Sequence, residues 1–258
     1  MLNRDVISKI KAVAFDLDGT IYFGDALAEG VQDLTFFLKG KGIKIFYFSN
    51  NSAKSRLEVF NKLKLLGLDV SVDEVYNSAY ATAEYLKENN IKSVFCSGSS
   101  GLAEEIESRG IKVLRGGEFA EAVVVGLNNK FNYDNISEAL NRLKNGSKLI
   151  ACNRDRNYPA SGGRLLPGCG PLVASIESAA GLEADYVVGK PNTYMLSLLA
   201  KDHNLKNTEI LVVGDTYDSD IVMADRYGSP GVLILNNNSN ARGAASVNTT
   251  KELKSIFL

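Results

Sequence analysis

The sequence of 258 residues has no excess of charge of either sign, and this narrows the classes of protein to consider. Lysine and arginine together number 29 against 30 aspartate and glutamate residues, so the formal net charge is -1. Because no basic excess is available to neutralise phosphates along a polymer, we expect neither a nucleic-acid partner nor a membrane-surface partner. Apolar runs long enough to cross a bilayer are also lacking, and Met1–Asp5 has no apolar stretch typical of a signal peptide.

Cysteine and histidine are scarce as well. The three cysteines, Cys96, Cys152 and Cys169, are scattered and never in C-x-x-C spacing, so neither a disulfide framework nor a zinc site is indicated, and we expect a cytoplasmic location. The single histidine, His203, stands in a polar stretch and is interpreted as solvated, which weighs against a Ser-His-Asp triad. The remaining composition, 45% hydrophobic and 23% charged, is that of an ordinary globular protein with a sizeable core.

Apolar runs alternate with amphipathic segments along the chain. Runs such as Ala12–Phe15 and Ile210–Val213 predict buried strands. Ser52–Leu66 predicts a helix whose apolar face carries Leu57, Phe60, Leu63 and Leu66. This alternation is typical of an α/β fold with a doubly wound, Rossmann-like parallel sheet. The pattern restarts near Ser78, which predicts a second, inserted α/β unit.

Two carboxylates stand at the end of the first predicted strand. Asp16 and Asp18 are separated by one residue and followed by Gly19 and Thr20. If both side chains face one cleft, their mutual repulsion calls for a divalent cation, and Mg2+ prefers oxygen ligands and leaves room for phosphate oxygens. The alternatives are a plain turn after a strand or a calcium loop, although an EF-hand needs a later glutamate and flanking helices.

Three further stretches are weak signals when each is taken alone. Ser49–Asn51 offers a hydroxyl and backbone N–H groups to an anion, although a helix N-cap explains it equally well. Lys190 can place a positive charge against a phosphate, although a lysine in a turn is usually solvated. Gly214–Asp220 follows a very apolar strand and brings three carboxylates together, with helix capping by Asp218 or Asp220 as the alternative. Since ligands of parallel sheets bind beyond the carboxyl ends of the strands, we expect these stretches to meet there.

Taken together and in this order, the motifs resemble the signatures of the haloacid dehalogenase superfamily of phosphohydrolases. They stand here as Asp16–Thr20, Ser49–Asn51, Gly189–Pro191 and Gly214–Asp215 with Asp220. The stretch Leu166–Gly170, followed by a helix and Val188–Pro191, resembles the NagD-like subfamily, which includes nitrophenylphosphatases and the phosphoglycolate and pyridoxal phosphate phosphatases. The resemblance implies a catalytic core of residues 1–77 and 185–258 with an inserted α/β cap domain of residues 78–184.

A chemical mechanism is also implied by the resemblance, that of an Mg2+-dependent phosphomonoester hydrolase acting on small phosphorylated metabolites. Asp16 would attack phosphorus and form an aspartyl phosphate, and Asp18 would serve as general acid and then general base. Mg2+ would be held by the carboxylates of Asp16 and Asp215 and by the backbone carbonyl of Asp18.

Phosphate binding is assigned in the same way. Ser49, Asn50, Asn51 and Lys190 would bind the phosphate oxygens, whose charge must be stabilised in the transition state. Asp220 would act indirectly, by orienting Lys190 or a water molecule bound to the metal.

Substrate selection is assigned to the predicted cap. Arg154, Asp155 and Tyr158 would contact the leaving group, with an ordinary exposed polar loop as the alternative reading. Tyr158 stands where a pyridoxal phosphate phosphatase carries histidine, which makes that substrate a poorer fit. A homodimer formed through the cap is a hypothesis from the same resemblance.

Other functions fit the sequence less well. A dehalogenase would not need Asp18, and a phosphomutase generally carries a small helical cap after the first motif. The alternative from a different class is a non-catalytic sensor of phosphate ligands or an assembly protein that has kept the fold. Loss of Asp16, Asp18, Lys190 or Asp215 would favour that alternative, and all four residues are present.

Overall fold

The computed structural model describes residues 2–159, 164–237 and 240–258. The strands are β1 Ala12–Asp16, β2 Tyr22–Phe23, β3 Ala26–Leu27, β4 Lys44–Ser49, β5 Val75–Asn77, β6 Ser93–Ser97, β7 Lys112–Leu114, β8 Ala122–Val125, β9 Lys148–Ala151, β10 Asn157–Pro159, β11 Leu165–Pro167, β12 Tyr186–Val187, β13 Ile210–Gly214, β14 Gly231–Ile234 and β15 Ser246–Val247. The helices are α1 Arg4–Ile7, α2 Val31–Gly40, α3 Arg56–Leu65, α4 Ser78–Glu88, α5 Ser100–Glu107, α6 Tyr133–Lys144, α7 Cys169–Ala180, α8 Tyr194–His203 and α9 Val222–Tyr227. The other helical segments are the 3-10 helices Val72–Glu74, Asn207–Glu209 and Thr250–Phe257 and the π-helical turn Tyr217–Ile221.

The chain divides into two compact units. The first unit comprises Met1–Ser49, Phe60–Tyr76 and Lys190–Leu258, and the second comprises Asn50–Val59 and Asn77–Gly189. In the part of the chain that the structure describes, no helix combines the length and apolar character needed to span a bilayer.

The first unit is built on a six-stranded sheet of order β15-β14-β13-β1-β4-β5. Strand β1 pairs in parallel with both β13 and β4, and its residues Ala12–Phe15 are fully buried, as expected for a central strand covered on both faces. Phe15 lies opposite Val213, and Asp16 lies opposite Phe48. The carboxyl ends of the three central strands therefore lie side by side, which positions the side chains described below.

The second unit contains a five-stranded parallel sheet of order β12-β9-β8-β6-β7 and an antiparallel pair, β10 with β11. Its core is formed where α6 and α7 pack on the sheet, with Val123, Val125, Leu149, Val173 and Ile176 buried. The predicted fold class, a Rossmann-like α/β protein with parallel sheets, is confirmed.

Helix α3 begins later than the sequence predicts, at Arg56 and not at Ser52. Ser55 and Glu58 explain the difference: the Ser55 N–H donates to the Glu58 carboxylate at 2.7 Å, and the Glu58 N–H donates to the Ser55 hydroxyl at 3.2 Å. This reciprocal pair is a capping box, whose signature of serine followed three residues later by glutamate stands in the sequence.

The predicted apolar face of α3 is correct at Leu63 and wrong at Leu57. Leu57 is 56% exposed, whereas Val59 and Leu63 are buried. These two residues are four apart and lie on one face of the helix, so this pair defines the buried stripe.

The interpretation of His203 as a solvated residue is wrong. Its ring is half-buried at the end of α8, with its centroid 4.4 Å from that of Phe46 and 6.5 Å from that of Tyr76. The polar neighbours along the chain gave no sign of these aromatic contacts, because Phe46 and Tyr76 come from distant segments.

Candidate active site

Three carboxylates converge at the carboxyl edge of the sheet in the first unit. Asp16 is the last residue of β1, Asp215 directly follows β13, and Asp220 lies in the π-helical turn after it. One carboxylate oxygen from each of the three lies within 4.8 Å of the others. We call these three residues the acidic cluster. Hard oxygen donors at such spacing are the ligands that Mg2+ prefers.

Lys190 balances part of this charge. Its side chain is only 3% exposed, and its ammonium donates to the Oδ1 atom of Asp16 and, at 2.7 Å, to the Oδ1 atom of Asp220. Asp220 is itself 1% exposed. The lysine is therefore not a solvated residue in a turn but the cation of a buried ion-pair network.

Two glycines allow the acidic cluster to form. Gly19 has φ +87°, and a Cβ atom placed there would lie 2.1 Å from the Oδ2 atom of Asp215. A Cβ atom on Gly214 would lie 2.2 Å from the Cγ atom of Asp220. Because side chains cannot approach this closely, both positions need glycine for the carboxylates to take their places.

The acidic cluster leaves charge uncompensated. Burial raises the pKa of Asp16 well above its usual range, although Lys190 opposes this shift, and burial together with the charge of Asp220 raises the pKa of Asp215 to about 6. Burial lowers the pKa of Lys190, but Asp16 and Asp220 outweigh it, so the net shift is upward. Three carboxylates against one ammonium leave two negative charges when all are ionised. A divalent cation fits both this deficit and the donor set.

Asp18 lies outside the acidic cluster. It is exposed, and the hydroxyl of Tyr22 donates to its Oδ2 atom at 3.1 Å. Burial, followed by the charge of Asp18, raises the pKa of Tyr22, so the phenol remains a hydrogen-bond donor. Sequence reasoning missed Tyr22, although its position four residues after Asp18, across a tight turn, was a usable signal.

The stretch Ser49–Asn51 begins with the last residue of β4, next to the end of β1. Ser49 is buried at the end of the strand. The side chain of Asn51 accepts hydrogen bonds from the backbone N–H groups of Ala53 and Lys54, at 2.9 and 3.0 Å. Asn51 thus organises the local turn, in agreement with the capping alternative for its side chain.

Asn50 belongs to a hydrogen-bonded network within the second unit. Its Nδ2 atom donates to the Oδ1 atom of Asp155 at 2.9 Å. Its carbonyl oxygen accepts from the Ser78 hydroxyl and from the Nδ2 atom of Asn153, each at 2.6 Å. The Oδ1 atom of Asn153 in turn accepts from the backbone N–H of Asp155 at 3.0 Å. We call these four residues the amide network, and Asn153, only 2% exposed, is a member that sequence reasoning missed.

The other residues assigned to substrate selection are engaged in different ways. Arg154 makes a bidentate ion pair with Glu177, in which Nη1 donates to Oε2 at 3.0 Å and Nη2 donates to Oε1 at 2.5 Å. Tyr158 lies on β10 opposite Leu166 and is half-buried.

Asp218, the third carboxylate of the Gly214–Asp220 stretch, lies apart from the acidic cluster. It forms an exposed ion pair with Arg242 at 2.6 Å. The carboxylate of Asp220 instead accepts the backbone N–H of Thr216 at 3.1 Å, and Thr216 donates its hydroxyl to Asp215 at 3.2 Å.

Comparison with known proteins gives a consistent picture. The family model described as haloacid dehalogenase-like hydrolase matches residues 13–112, and a model described as HAD-hydrolase-like matches residues 187–253. The acid sugar phosphatase of Staphylococcus saprophyticus is 35% identical over 213 residues, which cover 82% of this chain and 81% of that protein.

Solved structures agree with the sequence matches. The 4-nitrophenylphosphatase of Thermotoga maritima superposes with a TM-score of 0.91 at 27% identity, over 98% of this chain and 99% of that one. NagD of E. coli K-12 superposes with a TM-score of 0.83 at 25% identity, over 94% and 98%. The chain belongs to the haloacid dehalogenase-like hydrolase family and, within it, to the NagD-like phosphatases.

Proposed function

We propose that this phosphatase hydrolyses phosphomonoesters of small metabolites, above all sugar phosphates. In this proposal the reaction passes through an aspartyl-phosphate intermediate and requires Mg2+. The observation that carries the proposal is the buried ammonium of Lys190 held between Asp16 and Asp220 beside Asp215. A carboxylate nucleophile with a fixed cation beside it is equipped to attack a dianionic phosphate, which it would otherwise repel. The name of the staphylococcal relative, an acid sugar phosphatase, supports the substrate class.

The proposed chemistry has two steps. A carboxylate oxygen of Asp16 attacks phosphorus, the bond between phosphorus and the ester oxygen breaks, and Asp18 gives its proton to the departing alcohol oxygen. A water molecule then attacks the same phosphorus and gives a proton to Asp18, and the bond from phosphorus to Asp16 breaks. Inorganic phosphate and the alcohol are the products, and both aspartates return to their starting states.

Mg2+ is assigned to the carboxylates of Asp16 and Asp215 and to the backbone carbonyl of Asp18, with Asp220 beside them. When bound, it neutralises carboxylate charge and polarises a phosphoryl oxygen. Asp220 holds the ammonium of Lys190 in place.

Phosphate contacts are proposed for four groups. The hydroxyl of Ser49, the backbone of Asn50 and Asn51, and the ammonium of Lys190 receive the phosphoryl oxygens as charge develops. Arg154, Asp155 and Tyr158 of the second unit are proposed to select the alcohol part of the substrate. In this proposal residues 78–184 act as a substrate-selecting cap on a core of residues 1–77 and 185–258.

The test is release of inorganic phosphate from a panel of sugar phosphates, glycerol phosphate, phosphoglycolate, pyridoxal phosphate, nucleoside monophosphates and 4-nitrophenyl phosphate, with Mg2+ and with chelator. We expect turnover only with Mg2+, and we expect Asp16→Asn to lower kcat by about 10⁴-fold or more because the nucleophile is lost. The matched control is Asp218→Asn, which removes a carboxylate from the exposed pair with Arg242 and should leave turnover unchanged. Folded wild type that binds Mg2+ but releases no phosphate from any substrate would favour the non-catalytic sensor.

Two further expectations accompany the proposal. The three cysteines are free in the structure, which supports a reducing, cytoplasmic location.

Dimerisation through the second unit stays a prediction, and light scattering over a range of concentrations tests it.

A further inference from the structure

We propose that Tyr22 positions the carboxyl group of Asp18 for proton transfer; the inference rests on the proposed function, in which Asp18 is the acid and base. Tyr22 would be a positioning residue, since its hydroxyl acts through Asp18 and not on the substrate itself.

The first observation is the hydrogen bond between the two side chains. The Tyr22 hydroxyl donates to the Oδ2 atom of Asp18 at 3.1 Å, and within the described ranges this is the only hydrogen bond to that carboxylate. An exposed aspartate side chain otherwise rotates freely about its two torsions. The bond engages Oδ2, and the proposal assigns the proton to the other oxygen, Oδ1.

The second observation is that the backbone fixes the spacing of the two residues. The Gly19 N–H donates to the Tyr22 carbonyl at 2.9 Å, and the Tyr22 N–H donates to the Leu17 carbonyl at 3.1 Å. These bonds close a tight turn between Asp18 and Tyr22. The main chain thus fixes the positions from which the two side chains reach each other, and their own contact completes the arrangement.

The third observation is that the ring itself is held in place. Tyr22 is 5% exposed, lies opposite Leu27 in the β2–β3 pair, and has the ammonium of Lys62 only 3.7 Å from its ring centroid. A cation at this distance attracts the face of the ring. Because the ring is already fixed, its hydroxyl loses little conformational freedom when it forms a hydrogen bond. It therefore restrains the Asp18 carboxylate more than a hydroxyl on a mobile side chain would.

The predicted consequence depends on the leaving group. An alkoxide is a poor leaving group and needs the proton of Asp18, whereas 4-nitrophenolate leaves without one. The experiment therefore compares Tyr22→Phe with wild type, with Mg2+ present, on glycerol phosphate and on 4-nitrophenyl phosphate. The quantity compared is kcat/KM, which covers the steps up to release of the alcohol.

We expect Tyr22→Phe to lower kcat/KM for glycerol phosphate by about tenfold, the value of a hydrogen bond to a charged group. The value for 4-nitrophenyl phosphate should stay within about twofold, as expected where protonation of the leaving group contributes little. On an Asp18→Asn background the same substitution should bring no further loss for either substrate, because the group that it positions is already gone.

The matched control is Tyr47→Phe. The hydroxyl of Tyr47 is buried and has no hydrogen-bond partner among the described residues, so its removal should leave both kcat/KM values unchanged. Thermal unfolding of each variant shows whether it is folded before the kinetics are compared.

The results separate the two proposals. Equal losses on both substrates, no loss on either, or an additional loss on the Asp18→Asn background would overturn the positioning role while leaving the phosphatase mechanism in place. Wild type that releases phosphate from no member of the panel, these two substrates included, would overturn the proposed function and this inference with it.

Discussion

The acidic cluster of the first unit holds three carboxylates around one ammonium, whereas the amide network of the second unit pairs each of its side-chain amides with an oxygen acceptor. Both sets lie on segments that follow strands, and both are largely buried. The acidic cluster is electrostatically incomplete, because burial and mutual repulsion raise the pKa values of Asp16 and Asp215. The amide network needs no further charge to be satisfied.

This difference indicates separate tasks for the two sets. An incomplete charge cluster gains most when a cation and a phosphate arrive, and so it is suited to chemistry. A satisfied network of hydrogen bonds between neutral amides and one carboxylate keeps a loop in one conformation, and so it is suited to recognition. Substitutions in the acidic cluster should therefore change turnover most, and substitutions in the amide network should change affinity and stability by smaller amounts.

The largest effect is expected from Lys190→Met. The substitution removes the ammonium that pairs with Asp16 and Asp220, and it leaves these buried carboxylates without that partner. We expect kcat/KM for a sugar phosphate to fall by about 10²–10³-fold, as on loss of a group that stabilises transition-state charge. We also expect metal-free stability at neutral pH to fall by about 3–5 kcal/mol, as when one member of a buried pair is removed. Phosphate release and urea unfolding measure the two effects.

A second lysine provides the control for this prediction. Lys251→Met breaks a pair with Glu29 in which both side chains are exposed, and such solvent-screened pairs contribute little to stability. If Lys251→Met destabilised the protein as much as Lys190→Met, or if Lys190→Met retained wild-type turnover, the comparison between the acidic cluster and an ordinary surface pair would fail.

A smaller effect concerns pH and metal. The raised pKa of Asp215, about 6 against an ordinary 3.8, means that the folded state binds more protons than the unfolded state between these values. The stability of the metal-free protein should therefore fall as pH rises from about 4 to about 6, since the buried carboxylate then becomes charged. Mg2+ should stabilise most above pH 6, and its affinity should fall by up to about tenfold per pH unit below that, as one proton competes with it.

Thermal unfolding with and without Mg2+ from pH 5 to pH 8 measures this dependence. In Asp215→Asn the position no longer titrates and has lost a proposed ligand, so the shift in Tm produced by Mg2+ should be small at every pH. A stabilisation by Mg2+ that is as large at pH 5 as at pH 8 in the wild type would contradict the prediction.

The parts of the site that could be predicted from the sequence are those set by strand ends. The apolar runs Ala12–Phe15 and Ile210–Val213 appear as adjacent parallel strands, so Asp16 and Asp215 meet at one edge. That outcome depends only on local patterns and on the rule that ligand sites of parallel sheets lie beyond the carboxyl ends of the strands.

The parts that could not be predicted depend on long-range packing. The contact between Asn50 and Asp155 joins residues 105 positions apart and was not expected, whereas the contact between Lys190 and Asp220 was expected only from the family resemblance. Hydrogen bonds of this kind leave no periodicity in the sequence. The solvated interpretation of His203 failed for the same reason, because its aromatic neighbours come from distant strands.

The smallest effect is expected from Asp155, and two substitutions there test the proposed role of the amide network. Asp155→Asn keeps an oxygen that can accept the Asn50 amide at 2.9 Å, whereas Asp155→Ala removes the acceptor. We expect Asp155→Ala to lower Tm by about 2–4 °C, the equivalent of about 1 kcal/mol, and to raise KM several-fold. Asp155→Asn should lie close to wild type in both measurements. If Asp155→Asn instead raised KM as much as Asp155→Ala while leaving Tm unchanged, the charge of Asp155 would be acting on the substrate directly, and the amide network would not be the means by which this loop affects affinity.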